Sequence, residues 1–258
     1  MKVKEVMTKD IISIDKDVDL KYVLNLMKKH EITKIPVVED KKLIGIVTDN
    51  TIAYKLGSIR KKGIPPSRMH ASSVTEKDIE IFTSDTDVKT ILKKVGDPGP
   101  TMLCIVDNGN LVGIITKANL LPLVKSDKLV KDIMNKKIQI VSPDDRVIHA
   151  RRIMIDENIA RIPVVDNGKL VGIISDNEII FALADIKKYP LGRQKHQLDE
   201  LLIKSVMKSP AFWTEPNITA AEAAKLMIKN NIGALPIIEH DKLVGIVSRT
   251  DLLNTIPR

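Results

Sequence analysis

Aromatic side chains are scarce in this chain, with three Phe, three Tyr and one Trp among 258 residues. Any core must therefore be packed from Ile, Val, Leu and Met. Cysteine is scarcer still: the single Cys104 excludes an intramolecular disulfide framework and fits a reducing interior. Set in the apolar run Leu103-Cys104-Ile105-Val106, it reads as a small buried hydrophobe. No apolar run approaches a membrane span, and the opening MKVKEVMTKD lacks a signal-peptide core, so a cytoplasmic protein without membrane attachment is expected. The histidines (His30, His70, His149, His196, His240) show no metal-ligand spacing, and no metal is expected. Neither a Walker-type loop nor Gly-x-Gly-x-x-Gly occurs, and no Ser/His/Asp, Cys/His or paired-carboxylate set can be assembled without arbitrary choices. A non-enzymatic protein with no catalytic residue and no catalytic cofactor is expected. The net charge of +8 favours anionic partners, but it is dispersed along the chain and selects none of them.

What the chain does have is one phrase written four times: LIGIVTDNTI from Leu43, LVGIITKANL from Leu111, LVGIISDNEI from Leu170 and LVGIVSRTDL from Leu243. Repeats at a near-fixed period decide architecture first. Upstream, Val6-Met7, Ile133-Met134 and Val206-Met207 form a second landmark, with Val74-Thr75 standing in for the fourth. Between landmarks the same order recurs. An alternating stretch (Ile12, Ile14) predicts a short strand, and Leu20, Val23, Leu24, Met27 a helix with one apolar face. Ala220, Ala223, Ala224, Met227 repeat that stripe in the last copy. Next come KIPVVE, RIPVVD and ALPIIE, strands whose proline belongs at a start or an edge. Asp107-Asn108-Gly109 and Asp166-Asn167-Gly168 predict tight hairpins back into the glycine-bearing strand. The second copy is irregular: its helix stripe runs into Gly96-Asp97-Pro98-Gly99-Pro100, and Cys104 replaces the proline of the others.

The predicted class is α/β (α+β), with four β-α-β-β-α repeats at residues 1–57, 71–126, 127–184 and 200–258. A unit this small cannot bury both faces of its sheet alone, so units should pair. The interval from Gly45 to Gly172 nearly equals that from Gly113 to Gly245, whereas neighbouring glycines are unevenly spaced. That pattern indicates a duplicated two-unit module, with modules at 1–126 and 127–258. Two basic, proline-containing stretches, Ser58 to His70 and Asp185 to Gln197, read as connectors inside the modules.

Each glycine strand ends in a hydroxyl, and three residues later comes a polar partner: Thr48 with Thr51, Thr116 with Asn119, Ser175 with Glu178, Ser248 with Asp251. The last two pairs resemble capping boxes, which stabilise a helix start without any ligand. The same geometry also suits a ligand, since a hydroxyl can donate to a phosphate and a carboxylate can accept from a ribose diol. Both readings stand at this point.

These repeats resemble tandem cystathionine-β-synthase (CBS) domains, four in two paired modules, similar in arrangement to the regulatory gamma subunit of AMP-activated kinase. The resemblance rests on the proline strand, the L-[IV]-G-I-[IV]-[TS] strand and the Val/Ile-Met start, and it covers nearly the whole chain. It implies clefts between paired repeats that hold an adenosine-containing ligand (AMP, ADP, ATP or an S-adenosyl compound). In the fullest match, Ser248, Thr250 and Asp251 would take phosphate and ribose and Ile246 would pack on adenine. Met134, Ile138, Gln139 and Ile159 would form the opposite wall, with Arg161 on phosphate. Weaker clefts would draw on Ser175, Glu178, Phe212 and Ile232, on Thr48, Thr51 and Lys34, and on Thr116 and Asn119. Phe212 and Trp213 read first as core and second as a cleft wall.

The leading expectation is a sensor that reports occupancy to a separate, unidentified regulated protein. A nucleic-acid-binding protein using the basic linkers and a ligand-free interaction scaffold are the alternatives. Four repeats can close within one chain or stack as a homodimer.

Overall fold

The computed structural model describes residues 1–49, 51–52, 55, 65–96, 102–186 and 200–257, with side chains omitted for 183–186. The predicted linkers fall largely outside them, at 58–64 and 187–197.

In the first repeat β1 (Ile14–Asp15) is followed by α1 (Leu20–His30). Asp19 caps this helix by accepting the Tyr22 N–H at 2.9 Å, and Glu31 closes it in a left-handed conformation. Its predicted stripe of Leu20, Val23, Leu24 and Met27 is the buried face. The hairpin of β2 (Lys34–Glu39) and β3 (Lys42–Thr48) lies against that face. The second repeat supplies β4 (Ile81–Phe82), α2 (Val88–Lys94), β5 (Met102–Asp107), β6 (Asn110–Thr116) and α3 (Lys117–Leu120). In the second half come α4 (Val130–Ile133), α5 (Val147–Asp156), β7 (Arg161–Asp166), β8 (Lys169–Ser175) and α6 (Asp176–Ile186). The last repeat contributes α7 (Ala220–Lys229), β9 (Ala234–Glu239), β10 (Lys242–Ser248) and α8 (Arg249–Leu253).

The strands of the first half form one sheet in the order β1-β2-β3-β6-β5-β4, joined at its centre where Lys42 pairs with Asn110. In the second half the first strands shrink to single parallel bridges, Val141 to Val164 and Thr214 to Ile237. The predicted opening strand is thus at most two residues long. This shortness explains the prolines, which lie third in their six-residue strands rather than at a start. A strand residue points its N–H and C=O to the same side. Pro163 and Pro236 offer that carbonyl to Val141 and Thr214, at 3.2 and 3.1 Å, and their missing N–H faces the side where the neighbour is a single bridge. Each proline sits at a local edge.

The predicted hairpins are tight turns with positive φ at Asn108 and Gly109 and at Asn167 and Gly168. Asp40-Lys41 and His240-Asp241 adopt the same conformation without glycine, which composition alone did not signal.

Repeats exchange their opening segments. Thr8 bridges Ile114 and Glu76 bridges Ile46, while Asn135 bridges Ile246 and Lys208 bridges Ile173. The sequence landmarks meet in these exchanges: Met7 packs on Gly113, Met134 on Gly245 and Met207 on Gly172. The two halves meet through their C-terminal helices. α3 and α8 share one core, where Leu120 and Leu121 join Leu252 and Leu253. On the other side α1 touches α6, and Phe181 packs on the first repeat's core.

Cys104 is fully buried, and burial pushes its thiol up to about 12, as a structural cysteine requires. Phe212 and Trp213 are not core residues. They are 54% and 52% exposed, because the strand expected to hold them is reduced to the bridge at Thr214. No helix among the described residues is long and apolar enough to cross a membrane.

Candidate ligand clefts

The four hydroxyl pairs stand at the ends of β3, β6, β8 and β10, and each is hydrogen-bonded in a different way. In the first repeat Thr48 and Thr51 satisfy one another: the Thr51 N–H donates to Thr48 Oγ1 and the Thr48 N–H to Thr51 Oγ1, both at 3.0 Å. Lys34 pairs in register with Thr48 at the start of β2. In the second, Thr116 donates from both N and Oγ1 to Asn119 Oδ1 at 2.8 Å, and Asn119 Nδ2 donates to Thr8 Oγ1 of the first repeat at 2.8 Å. That amide is occupied at both ends.

In the third repeat the Ser175 N–H donates to Glu178 Oε2 at 2.9 Å and the Ser175 hydroxyl bonds the same oxygen. The other oxygen, Oε1, lies 3.6 Å from Lys208 Nζ, and Lys208 also reaches Glu31 of the first repeat at 3.4 Å. The fourth repeat differs. Asp251 Oδ2 accepts from the Ser248 N–H and hydroxyl, both at 2.7 Å, as a capping box predicts. Its Oδ1 makes no hydrogen bond or ion pair with a described residue. Among the three acid or amide partners, Asp251 alone keeps an uncommitted acceptor.

The surroundings of Asp251 come from two repeats. Ile246, two residues before Ser248 on β10, exchanges backbone hydrogen bonds of 2.9 and 3.0 Å with Asn135, and Met134 covers Gly245. This brings the Met134 segment beside Ile246, with Ile138 and Gln139 part-buried further along it. Ile159, part-buried, packs against the third repeat's own core. Arg161 pairs in register with Ser175, yet its guanidinium lies across Gly233, where a Cβ would collide with it. Gly233 O in turn accepts the Arg249 N–H at 3.2 Å, so Arg161 stands at the mouth of the Ser248-to-Asp251 turn. Ile232 O takes Arg249 Nε at 3.1 Å. Phe212 stands half-exposed four residues after Lys208, whose backbone bridges Ile173 of β8.

Four residues that the repeat pattern passed over matter here. The position just after each hydroxyl reads Asp49, Lys117, Asp176, Arg249, alternating acid and base. In space the acids meet, and so do the bases with the fourth repeat. Asp49 is buried, and burial followed by the Asp49 charge pushes the Asp176 carboxyl up to about 6, against the pull of Arg161 and Arg151. Lys117, also buried, donates to Thr250 Oγ1 at 2.8 Å across the junction of the halves. Burial, with Arg161 beside it, pulls the Arg249 guanidinium down to about 10.

The Asp176 shift makes a stability prediction. Its folded value lies above its ordinary 3.8, so its contribution is fully present below about pH 4 and is lost as pH rises through about 6. Asp176→Asn should therefore melt a few degrees above the wild type at pH 8, reflecting on the order of 1–3 kcal/mol. The gap should shrink below about pH 6 and close only near pH 4 and below. A difference independent of pH in thermal melts would refute the account.

Among the described residues, no group of three or more His, Cys, Asp or Glu could hold a metal ion. A CBS domain model matches residues 3–58, 71–126, 130–185 and 203–258. The chain is 27% identical over 265 residues to uncharacterized protein MJ1404 of Methanocaldococcus jannaschii, covering 98% of this chain and 61% of that protein. It thus spans less than two thirds of that relative's length. Its fold is shared with the crystal structure of MJ1225 from the same organism, described as a candidate archaeal homolog of γ-AMPK, at a TM-score of 0.83 and 20% identity over 98% of this chain and 99% of that one. A conserved protein of Pyrococcus horikoshii aligns over the same shares with a TM-score of 0.61 and 21% identity. With the four matched segments covering most of its length, this chain belongs to the CBS domain family.

Proposed function

We propose that the chain is a non-enzymatic sensor that binds an adenosine-containing ligand in the cleft of Ser248 and Asp251 and passes its occupancy to a separate protein. The carrying observation is the uncommitted Oδ1 of Asp251. A carboxylate held in place by its other oxygen is preorganised to accept hydrogen bonds from a vicinal diol, which a ribose supplies. Ile246 and the Met134 segment give an apolar wall for a base, and Arg161 gives a positive charge for phosphate.

The other clefts support a narrower role. Thr48 and Thr51 bond each other, Asn119 is tied to Thr8, and Glu178 is shared with Lys208. On this reading the first half serves chiefly as a scaffold and the last cleft as the receptor.

Thermal melts with AMP, ADP, ATP, 5′-methylthioadenosine and S-adenosylmethionine test the proposal. A ligand at one hundred times its Kd stabilises by about 2.7 kcal/mol, which for a chain of this size raises Tm by roughly 5–10 °C. Mass spectrometry of the denatured protein would identify any ligand carried through purification. No shift from any of the five at millimolar concentration would remove the proposal.

A further inference from the structure

The residue after each Val/Ile-Met landmark, or after Val74-Thr75, is carried by the exchange of opening segments onto the neighbouring repeat's glycine strand. Thr8 bridges Ile114, Glu76 bridges Ile46, Asn135 bridges Ile246 and Lys208 bridges Ile173, in every case two residues before the hydroxyl of the pair. The four positions are equivalent, but their side chains act differently. Thr8 is short and accepts the Asn119 amide at 2.8 Å. Asn135 turns its Oδ1 back to the Lys137 N–H at 2.9 Å, and no hydrogen bond or ion pair joins it to Asp251. Lys208 is long enough to reach across: its Nζ lies 3.6 Å from Glu178 Oε1 and 3.4 Å from Glu31 Oε1. The other Glu178 oxygen is spent on Ser175. The Glu178 side chain is only 11% exposed, whereas Lys208 and Glu31 are open to solvent. A cation of the fourth repeat thus joins a sheltered carboxylate of the third to an exposed one of the first.

We propose that Lys208 is an internal plug of the Glu178 cleft. Its ammonium holds the carboxylate oxygen that a ribose diol would need, so this cleft is closed by the chain's own charge and not by the lack of an acceptor. The proposal rests on the adenosine reading above and deepens it, by naming the residue that decides which of the second half's two clefts is open. The shared register makes the claim reciprocal. A lysine at position 135 would stand to Asp251 as Lys208 stands to Glu178, and would close the cleft that is now open. Glu31 offers the displaced ammonium a second carboxylate. A ligand that takes Glu178 therefore leaves Lys208 paired with the first repeat, and filling this cleft alters a contact between the halves.

Isothermal titration with adenosine, which carries no phosphate for a lysine to attract, tests the plug in the full chain bearing Asp251→Ala, where the last cleft is disabled. Adding Lys208→Asn should raise adenosine affinity by about 10-fold or more, the worth of a hydrogen bond to a freed carboxylate. Lys208→Arg keeps the charge and should give no gain, and Glu178→Ala added to Lys208→Asn should cancel the gain. In the otherwise unaltered chain, Asn135→Lys should weaken adenosine by about 10-fold. Lys208 and Asn135 are both exposed, so these substitutions leave the core untouched. AMP is the counter-probe: a Lys208 that contacts phosphate would show as Lys208→Asn weakening AMP and leaving adenosine unchanged. That result would overturn the proposal, as would no gain from Lys208→Asn, an equal gain from Lys208→Arg, or no loss from Asn135→Lys. In those cases wild-type adenosine binding that Asp251→Ala removes would leave the broader reading standing. Failure of adenosine and AMP to bind either the wild type or Lys208→Asn would remove both.

Discussion

Asp251→Ala is expected to weaken binding of an adenosine ligand by about 10- to 100-fold, corresponding to roughly 1.5–3 kcal/mol for hydrogen bonds to a charged acceptor. The carboxylate has two tasks. Oδ2 closes the capping box with Ser248, and Oδ1 is left for a ligand. Alanine removes both, so the unliganded variant should itself lose about 1 kcal/mol of stability. The diagnostic quantity is therefore the ligand-induced rise in Tm, not Tm alone. Asp251→Asn separates the tasks, because its amide oxygen can still accept the Ser248 bonds while its nitrogen cannot accept from a ribose hydroxyl. It should keep most of the unliganded stability and lose most of the ligand-induced shift. If Asp251→Ala and the wild type gain equally from the same ligand, Asp251 is a helix cap and nothing more.

The second large effect is on folding. A Cβ on Gly45 would fall on the Glu76 carbonyl oxygen and close to the Thr75 methyl. The Glu76 carbonyl is held by the hydrogen bonds of 2.9 and 2.8 Å that Ile46 and Glu76 exchange, and the Thr75 side chain by its hydroxyl's bond to the Ala71 carbonyl at 2.8 Å. Gly45→Val should cost about 2–4 kcal/mol, combining an overpacked contact with the weakened exchange between the first two repeats. Gly113→Ala offers the contrast. Its Cβ would meet the Met7 thioether, a flexible side chain that can swing aside, so about 1 kcal/mol is expected there. Urea unfolding of the two variants measures the difference, and equal costs would show that the backbone contact at Gly45 is not the restraint.

Most of the fold was legible because its elements are set by local chemistry. The α1 stripe, the Asn-Gly hairpins and the glycine strands each follow from spacing and allowed backbone angles. Repetition then multiplied a modest signal four times. The Phe212 and Trp213 reading failed for the opposite reason. Two aromatics in an apolar setting suggest core, but the strand meant to carry them is cut to one bridge, leaving both half-exposed. The hydroxyl pairs were legible as pairs, whereas their state was not. Thr116-Asn119 and Ser248-Asp251 look alike on paper, yet one is tied to Thr8 from a distant segment and the other is not.

Sequence by itself therefore determined the repeating unit, the landmarks and which residue types stand at each cleft, since those depend on neighbours within a few positions. Tertiary structure decided which landmark packs on which, because Met7 meets Gly113 and Met134 meets Gly245 only after the repeats exchange their opening segments. It also decided how charges group. Asp49, Lys117, Asp176 and Arg249 form an unremarked alternation along the chain, and only the docking of the halves puts acid beside acid and gathers the bases around Thr250. Electrostatic energy depends on distance and burial, neither of which a linear pattern contains.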